Sequence, residues 1–143
     1  MVIAYRAEPS VGCTFDVWDG VVTADEVREH LVRLASDRDW PAGRGHLSDL
    51  TTLAKAPTPE PDVLDALYDG TSLGEDLRVA VLVLPGFAPG TDLRYGTVTE
   101  SLAPQSFREL GFACAYLGID QAKAREILDE LRQQVGGDTL PNT

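Results

Sequence analysis

Alternating apolar and polar positions open the chain and predict two short strands. Residues 3–7 alternate in this way, and residues 11–18 repeat the pattern after a turn-forming segment with Pro9 and Gly12. One face of the second run carries Val11, Cys13, Phe15 and Val17, and the other carries Thr14, Asp16 and Trp18. The pattern is typical of an antiparallel hairpin.

A helical pattern follows directly. Thr23 and Glu26 have the spacing of a capping box, in which each residue satisfies a free backbone amide of the other. The apolar residues after them recur at helical spacing: Val27, Leu31, Leu34 and Ala35. The helix is predicted to end near Asp37, because residues 40–43 contain a proline and a glycine. A short strand over residues 46–50, closing on Asp49, would complete one βαβ unit.

The remaining pattern predicts a mixed α/β sheet. Residues 77–84 are almost wholly apolar, as expected of a strand covered on both faces at the centre of a sheet. Residues 112–117 predict the last strand, and Asp120 would cap a final helix whose apolar stripe is Ile127, Leu128, Leu131 and Val135. Prolines at residues 57–61 indicate an extended connection, and weaker helices are expected over residues 63–70 and 91–103.

The fold class predicted from this order is therefore α/β. A single domain over residues 1–135 would hold about five strands and about four helices in the order ββαβαβαβα, with a flexible tail over residues 136–143. A length of 143 residues suits one domain with its own core.

Composition narrows the classes of partner. A formal charge of -11 and the absence of any lysine and arginine cluster argue against nucleic acid and anionic membrane surfaces. No apolar run has the roughly 20 residues of a spanning helix, and the first residues do not form a signal peptide. The sequence therefore predicts a cytoplasmic protein.

No complete catalytic or metal-binding constellation is visible in the sequence. His30 is expected to lie half-exposed on the first helix, and His46 begins a strand without a second ligand at metal spacing. Cys13 and Cys114, each in a predicted strand, read as buried packing residues. We therefore predict no metal, no cofactor and no assigned catalytic residue.

The order and spacing of these segments resemble the SpoIIAA-like superfamily, which holds STAS domains and small STAS/SEC14-like bacterial proteins. The resemblance covers roughly residues 3–131. It is carried by residues 18–23, 39–40, 46–50, 79–84 and 94–96, together with the closing strand and helix. It implies a SpoIIAA-like fold and a regulatory, protein-binding role.

The resemblance also implies candidate site residues. In STAS regulators a serine just after the third strand is phosphorylated by a partner kinase, and the corresponding residues here are Thr51 and Thr52. They follow Asp49 without the Asp-Ser-Ser-Gly pattern of that site. The alternative is that both threonines serve turn or cap geometry.

Three hypotheses of function follow. The leading one is a non-enzymatic module that recognises a protein partner or small ligand through Asp49, Thr51, Thr52, Arg94 and Tyr95, at loops after the strands. The second is a small enzyme that uses Asp49 with Tyr95 or His46 as an acid/base pair. The third is a self-assembling module, for example a homodimer, because Trp18 would lie on an exposed sheet face.

Overall fold

The hairpin and the βαβ unit expected from the amino-terminal pattern both form. The computed structural model describes residues 2–55, 78–84 and 105–136. In these residues the strands are β1 (Ile3–Glu8), β2 (Cys13–Val21), β3 (Gly45–Lys55), β4 (Arg78–Leu82) and β5 (Gln105–Phe107), and the helices are α1 (Ala24–Ser36), α2 (Leu110–Leu117) and α3 (Gln121–Gly136).

The five described strands form one mixed sheet in the order β1-β2-β3-β4-β5. β1 pairs with β2 in antiparallel fashion, and each later pair is parallel. The predicted α/β class with a mixed sheet is therefore confirmed. Three helices lie in the described residues, where about four were expected for the whole chain.

The capping box at the start of α1 is present as predicted. The Thr23 hydroxyl accepts from the amide of Glu26 at 3.2 Å, and the Glu26 carboxylate accepts from the amide of Thr23 at 2.9 Å. A cap of this kind stabilises a helix by about 1 kcal/mol. Leu31 and Leu34 are buried as expected. Ala35 is exposed, so it does not belong to the buried apolar stripe.

The sheet separates two apolar clusters. The face that carries Trp18 and Leu50 packs against the buried side of α1. The face that carries Phe15 and Leu47 packs against α2 and α3. Because side chains alternate along a strand, neighbouring residues of β3 pack on opposite faces of the sheet.

Strand β4 is buried on both faces, as predicted. Val79 and Val81 belong to the cluster with α1, and Ala80 and Leu82 belong to the cluster with α2 and α3. β4 pairs with a strand on each side, although β3 holds the middle position in the sheet. The strand ends before Leu84, which is exposed.

The prediction of a last strand over residues 112–117 was wrong. These residues form α2, and the fifth strand is the short segment β5 before it. A short apolar run has no period that separates a strand from a buried helix by itself. Gly118 ends α2 in the left-handed conformation at φ 70°, where a glycine carries no steric cost.

The third strand is longer than predicted. β3 continues past Asp49 to Lys55, because residues 52–55 still pair with the end of β2. Its pairing with β4 ends earlier, at the partners Asp49 and Leu82. Asp49 thus lies within β3 but at the carboxyl end of the β3–β4 ladder.

The last helix forms as predicted. The Asp120 side chain accepts from the amide of Lys123 at 2.9 Å, and the expected stripe is buried. The predicted proline-rich connection, the helices over residues 63–70 and 91–103, and the tail beyond residue 136 lie outside the described residues. None of the helices in the described ranges has the length and apolar content needed to cross a bilayer.

Candidate functional site

Asp49 is the centre of the site that the sequence predicted, and both oxygens of its carboxylate have partners. The residue is 2% exposed. Oδ1 accepts from the backbone amide of Thr51 at 2.9 Å and from the Thr51 hydroxyl at 2.7 Å. Oδ2 forms an ion pair with a terminal nitrogen of Arg132 on α3. Such partners offset the cost of holding a carboxylate away from water.

A cavity of about 190 Å³ opens beside this carboxylate. Its apolar wall is made of Leu82, Leu110 and Leu128. Its polar lining consists of Asp49, Thr51, Arg108, Arg125, Asp129 and Arg132. The cavity therefore lies where α3 and the segment after β5 meet the carboxyl end of the β3–β4 ladder, the edge at which α/β sheets gather ligands.

The charges that line the cavity contrast with the rest of the chain. Three arginines and two aspartates give the lining a formal charge of +1 (3 − 2), whereas the whole protein carries -11. Arg108 and Arg125 are exposed and form no ion pair within the described ranges. Two guanidinium groups at this edge are therefore not neutralised by described carboxylates.

Thr51 and Thr52 lie in β3 and not at a turn or at the start of a helix. Thr51 is partly buried and donates to Asp49. Thr52 is exposed, and its hydroxyl lies 3.4 Å from the Trp18 carbonyl oxygen, to which it donates. Thr51 thus makes a local Asx-type contact with Asp49 within the strand, as the turn alternative allows, whereas Thr52 caps neither a turn nor a helix.

A second buried carboxylate, Asp16 on β2, lies on the opposite face of the sheet. Its Oδ2 lies 3.2 Å from Nε2 of His30 and 2.7 Å from Nε2 of His46, and its Oδ1 accepts from the indole nitrogen of Trp18 at 3.0 Å. Asp16, His30 and His46 are 1%, 4% and 6% exposed. We refer to Asp16, Trp18, His30 and His46 as the histidine cluster.

The histidine cluster corrects two predictions. His30 lies on the buried face of α1 and is not half-exposed, because that face packs on the sheet and the imidazole reaches the Asp16 carboxylate. Trp18 is also buried, at 3% exposure, so the argument for self-assembly through an exposed tryptophan fails. Burial by itself would raise the pKa of Asp16, but the charge of His46 and the hydrogen bonds from both histidines outweigh it and hold that pKa below its usual value.

The structure does not bring His46 and Asp49 together. His46 contacts Asp16 on the α1 side of the sheet, whereas Asp49 contacts Arg132 on the α3 side. The acid/base pair of Asp49 with His46 is therefore wrong. Arg94 and Tyr95, which complete the predicted recognition edge and the other version of that pair, lie outside the described residues.

The cysteines are buried packing residues, as expected. Both are free, and burial raises the pKa of each thiol. Cys13 lies in β2 as predicted, but Cys114 lies in α2 and not in a strand. In the described ranges no group of three or more histidine, cysteine, aspartate or glutamate side chains is arranged to hold a metal ion.

Sequence reasoning missed the arginines of the cavity and the role of Asp16. The arginines lie on the polar side of α3 and after β5, where a charged residue normally signals only solvent exposure. Asp16 carried a usable signal, because it shares a strand face with Trp18 and a buried face makes an aspartate costly unless it is paired.

Comparison with known proteins gives a similarity to solved structures only. No protein-family model and no curated protein matches the sequence. Among solved structures, the chain is similar to the crystal structure of an anti-sigma factor antagonist from Mycobacterium paratuberculosis, with 17% identity, a TM-score of 0.46, and coverage of 80% of this chain and 92% of that chain.

Proposed function

We propose that this protein is a cytoplasmic, non-enzymatic, STAS-like regulatory module that recognises a protein partner at the carboxyl edge of its parallel strands. The recognition edge comprises Asp49, Thr51 and Thr52, with Arg94 and Tyr95 as the predicted remainder. A small ligand in place of a protein is the other reading of the same edge. The resemblance of the sequence to STAS domains supports a regulatory, protein-binding role. The geometry around Asp49 supports the location of the recognition edge.

The observation that carries the proposal is the open cavity beside Asp49. The histidine cluster is buried on the opposite face, whereas the Asp49 cavity is lined by the exposed side chains of Arg108 and Arg125. Charged groups at an accessible edge can steer and orient a partner of opposite charge. At this cavity the buried carboxylate of Asp49 lies beside the exposed side chains of Arg108 and Arg125.

The bonding of Asp49 favours recognition over catalysis. A general base needs a free lone pair directed at the proton that it removes. Oδ1 of Asp49 already accepts from the amide and hydroxyl of Thr51, and Oδ2 is paired with Arg132. Asp49 thus holds the Thr51 hydroxyl in place and neutralises part of the charge of Arg132 at the edge.

Thr51 and Thr52 stay the predicted phosphoacceptors of this module. A phosphate on Thr51 would break its hydrogen bond to Asp49 and would occupy the cavity that Thr51 shares with three arginines, so it would block the edge as a binding surface. Trypsin cuts after Arg44 and Lys55, so both threonines fall in one peptide, residues 45–55. Mass spectrometry of protein isolated from its native cells should find this peptide in a phosphorylated form, and an unmodified peptide under all growth conditions would contradict the prediction.

Affinity capture with a matched pair of variants tests the proposed function. Thr52→Arg places a bulky cation on the recognition edge, and Ser36→Arg places the same side chain at the exposed end of α1. We expect a partner to be recovered with the wild type and with Ser36→Arg and lost with Thr52→Arg. Equal recovery with all three proteins would place binding elsewhere. The absence of any recovered protein, together with no thermal shift across a metabolite panel, would refute the proposal.

A further inference from the structure

The arginines around the Asp49 cavity come from two separate parts of the chain. Arg108 follows β5, and Arg125 and Arg132 lie two turns apart on α3. Their convergence on one cavity does not result from a local charge run in the sequence. We infer that this cavity binds one phosphate-type oxoanion, and this inference rests on the proposed function because it names the chemistry recognised at the same edge.

Only part of the Arg132 guanidinium group is engaged by the described residues. One terminal nitrogen pairs with Asp49, and the buried Nε has no hydrogen-bond partner in the described parts of the chain. Nε is closed to solvent, but the Arg132 side chain is 41% exposed and lines the cavity, so its outer N–H groups can donate to an oxoanion there.

The number of donors favours phosphate over carboxylate. A guanidinium group presents its N–H groups in a planar fork that matches the oxygens of either anion. A phosphate monoester offers three terminal oxygens, whereas a carboxylate offers two. Arg108, Arg125 and Arg132 bring three guanidinium groups to one cavity, so an anion with three terminal oxygens can use more of their donors than a carboxylate can.

The size of the cavity limits the ligand to a single group. Its volume of about 190 Å³ is below the range of roughly 300 to 1,000 Å³ that encloses a drug-sized molecule. The cavity therefore takes a free phosphate ion or the phosphate group of a larger partner, and not a whole nucleotide. The two sources share one chemistry and differ in what surrounds the phosphate.

The two aspartates that line the cavity oppose the binding of an anion, so they predict the sign of the effect of each charge substitution on affinity. Asp49 neutralises part of Arg132, and Asp129 is an exposed carboxylate on α3 that faces the same cavity. Removing an arginine should weaken the binding of an anion, and removing the charge of Asp129 should strengthen it. Opposite effects of two surface substitutions on one helix are difficult to produce by a general change in folding.

A nuclear magnetic resonance titration with inorganic phosphate tests the inference. Nitrogen-15-labelled protein is titrated at constant pH and constant ionic strength. We expect saturable shifts of the amides of Thr51 and Arg108 and a Kd in the millimolar range or tighter. Arg125→Gln should raise the Kd about tenfold, as expected for the loss of a charge-assisted hydrogen bond. Asp129→Asn should lower it about threefold.

Arg38→Gln is the matched control, because Arg38 is an exposed arginine just beyond α1. It should leave the Kd unchanged. Arg108→Gln provides a second loss-of-binding variant on a different element, should Arg125→Gln disturb α3. Shifts that do not saturate, or equal Kd values for Arg125→Gln and Arg38→Gln, would overturn the inference.

Two further probes separate the sources of the anion. A short peptide with one phosphoserine should bind more tightly than inorganic phosphate if the group belongs to a protein partner, and less tightly if the ligand is the free ion. Malonate should bind more weakly than phosphate, and the reverse order would overturn the choice of phosphate. If phosphate fails to bind while Thr52→Arg still abolishes partner capture, the proposed function stands and this inference alone is wrong.

Discussion

Asp16 and Asp49 lie on neighbouring strands and are almost equally buried, yet their surroundings differ. Asp16 is enclosed by two histidines and a tryptophan beneath α1. Asp49 is held by Thr51 and Arg132 and borders a cavity with two arginines that form no ion pair with a described carboxylate. Burial of a carboxylate is therefore a poor marker of a functional site in this protein. The cavity beside Asp49 and the exposed arginines that line it distinguish the two positions.

Because of this difference, we expect changes at Asp16 and changes at Asp49 to affect different properties of the protein. The partners of Asp16 are themselves buried, so breaking that cluster leaves polar groups that water cannot reach. Arg132 keeps 41% of its side chain exposed, so changes around Asp49 can be relieved by solvent. We expect the histidine cluster to govern folding and the Asp49 cavity to govern binding.

The largest expected effect is on the histidine cluster. Asp16→Asn removes the charge that both imidazoles contact, and breaking a buried network of this kind costs about 3–5 kcal/mol in the free energy of unfolding. Urea denaturation measures this loss in the free energy of unfolding. Asp39→Asn, at an exposed site, should cost less than about 0.5 kcal/mol. Equal stability of the two variants would show that the cluster does not hold the fold.

The same cluster predicts the response to acid. The pKa of Asp16 is lowered in the folded protein, so its contribution to stability is complete above the unfolded value of about 4 and is lost as the pH falls below that value. The stability difference between wild type and Asp16→Asn should therefore shrink below about pH 4. Urea denaturation across a pH series checks this, and a difference that grows towards acid would contradict it.

Two identical substitutions should act with opposite signs. Thr51→Val removes the hydroxyl that donates to Asp49 and should destabilise the protein by about 1 kcal/mol. Thr14→Val removes a buried hydroxyl that has no hydrogen-bond partner in the described residues, so it should stabilise the protein by up to about 1 kcal/mol. Thermal unfolding of both variants checks the prediction. Destabilisation of similar size at the two sites would contradict it.

The smallest expected effect on stability is at the cavity rim. Arg125→Gln changes an exposed side chain and should alter the free energy of unfolding by less than about 0.5 kcal/mol. A loss of several kcal/mol in urea denaturation would show that Arg125 is part of the folded framework and not of a recognition surface.

Local patterns were sufficient for the first half of the described fold. The alternation in β1 and β2 and the capping box at Thr23 act over a few residues, so the sequence predicts them directly. The error over residues 112–117 came from reading an apolar run without its spacing. Leu110, Ala113, Cys114 and Leu117 stand at helical intervals and pack together against the core.

The sites could be predicted only in part, because their contacts are long-range. Asp49 was found from its place in a βαβ unit, which is a local pattern. The partners of Asp16 lie 14 and 30 residues away, and the arginines of the cavity come from the end of the chain. Only the sheet register and the docking of α3 bring these side chains together.

A phosphate titration of Asp16→Asn and Asp49→Asn, with urea denaturation of the same samples, tests the division between the two carboxylates most directly. We expect Asp16→Asn to lose the greater stability and keep the wild-type Kd, and Asp49→Asn to lose less stability and bind phosphate several-fold more tightly, because Arg132 no longer pairs with a carboxylate. A change of Kd in Asp16→Asn that equals or exceeds the change in Asp49→Asn would contradict the account.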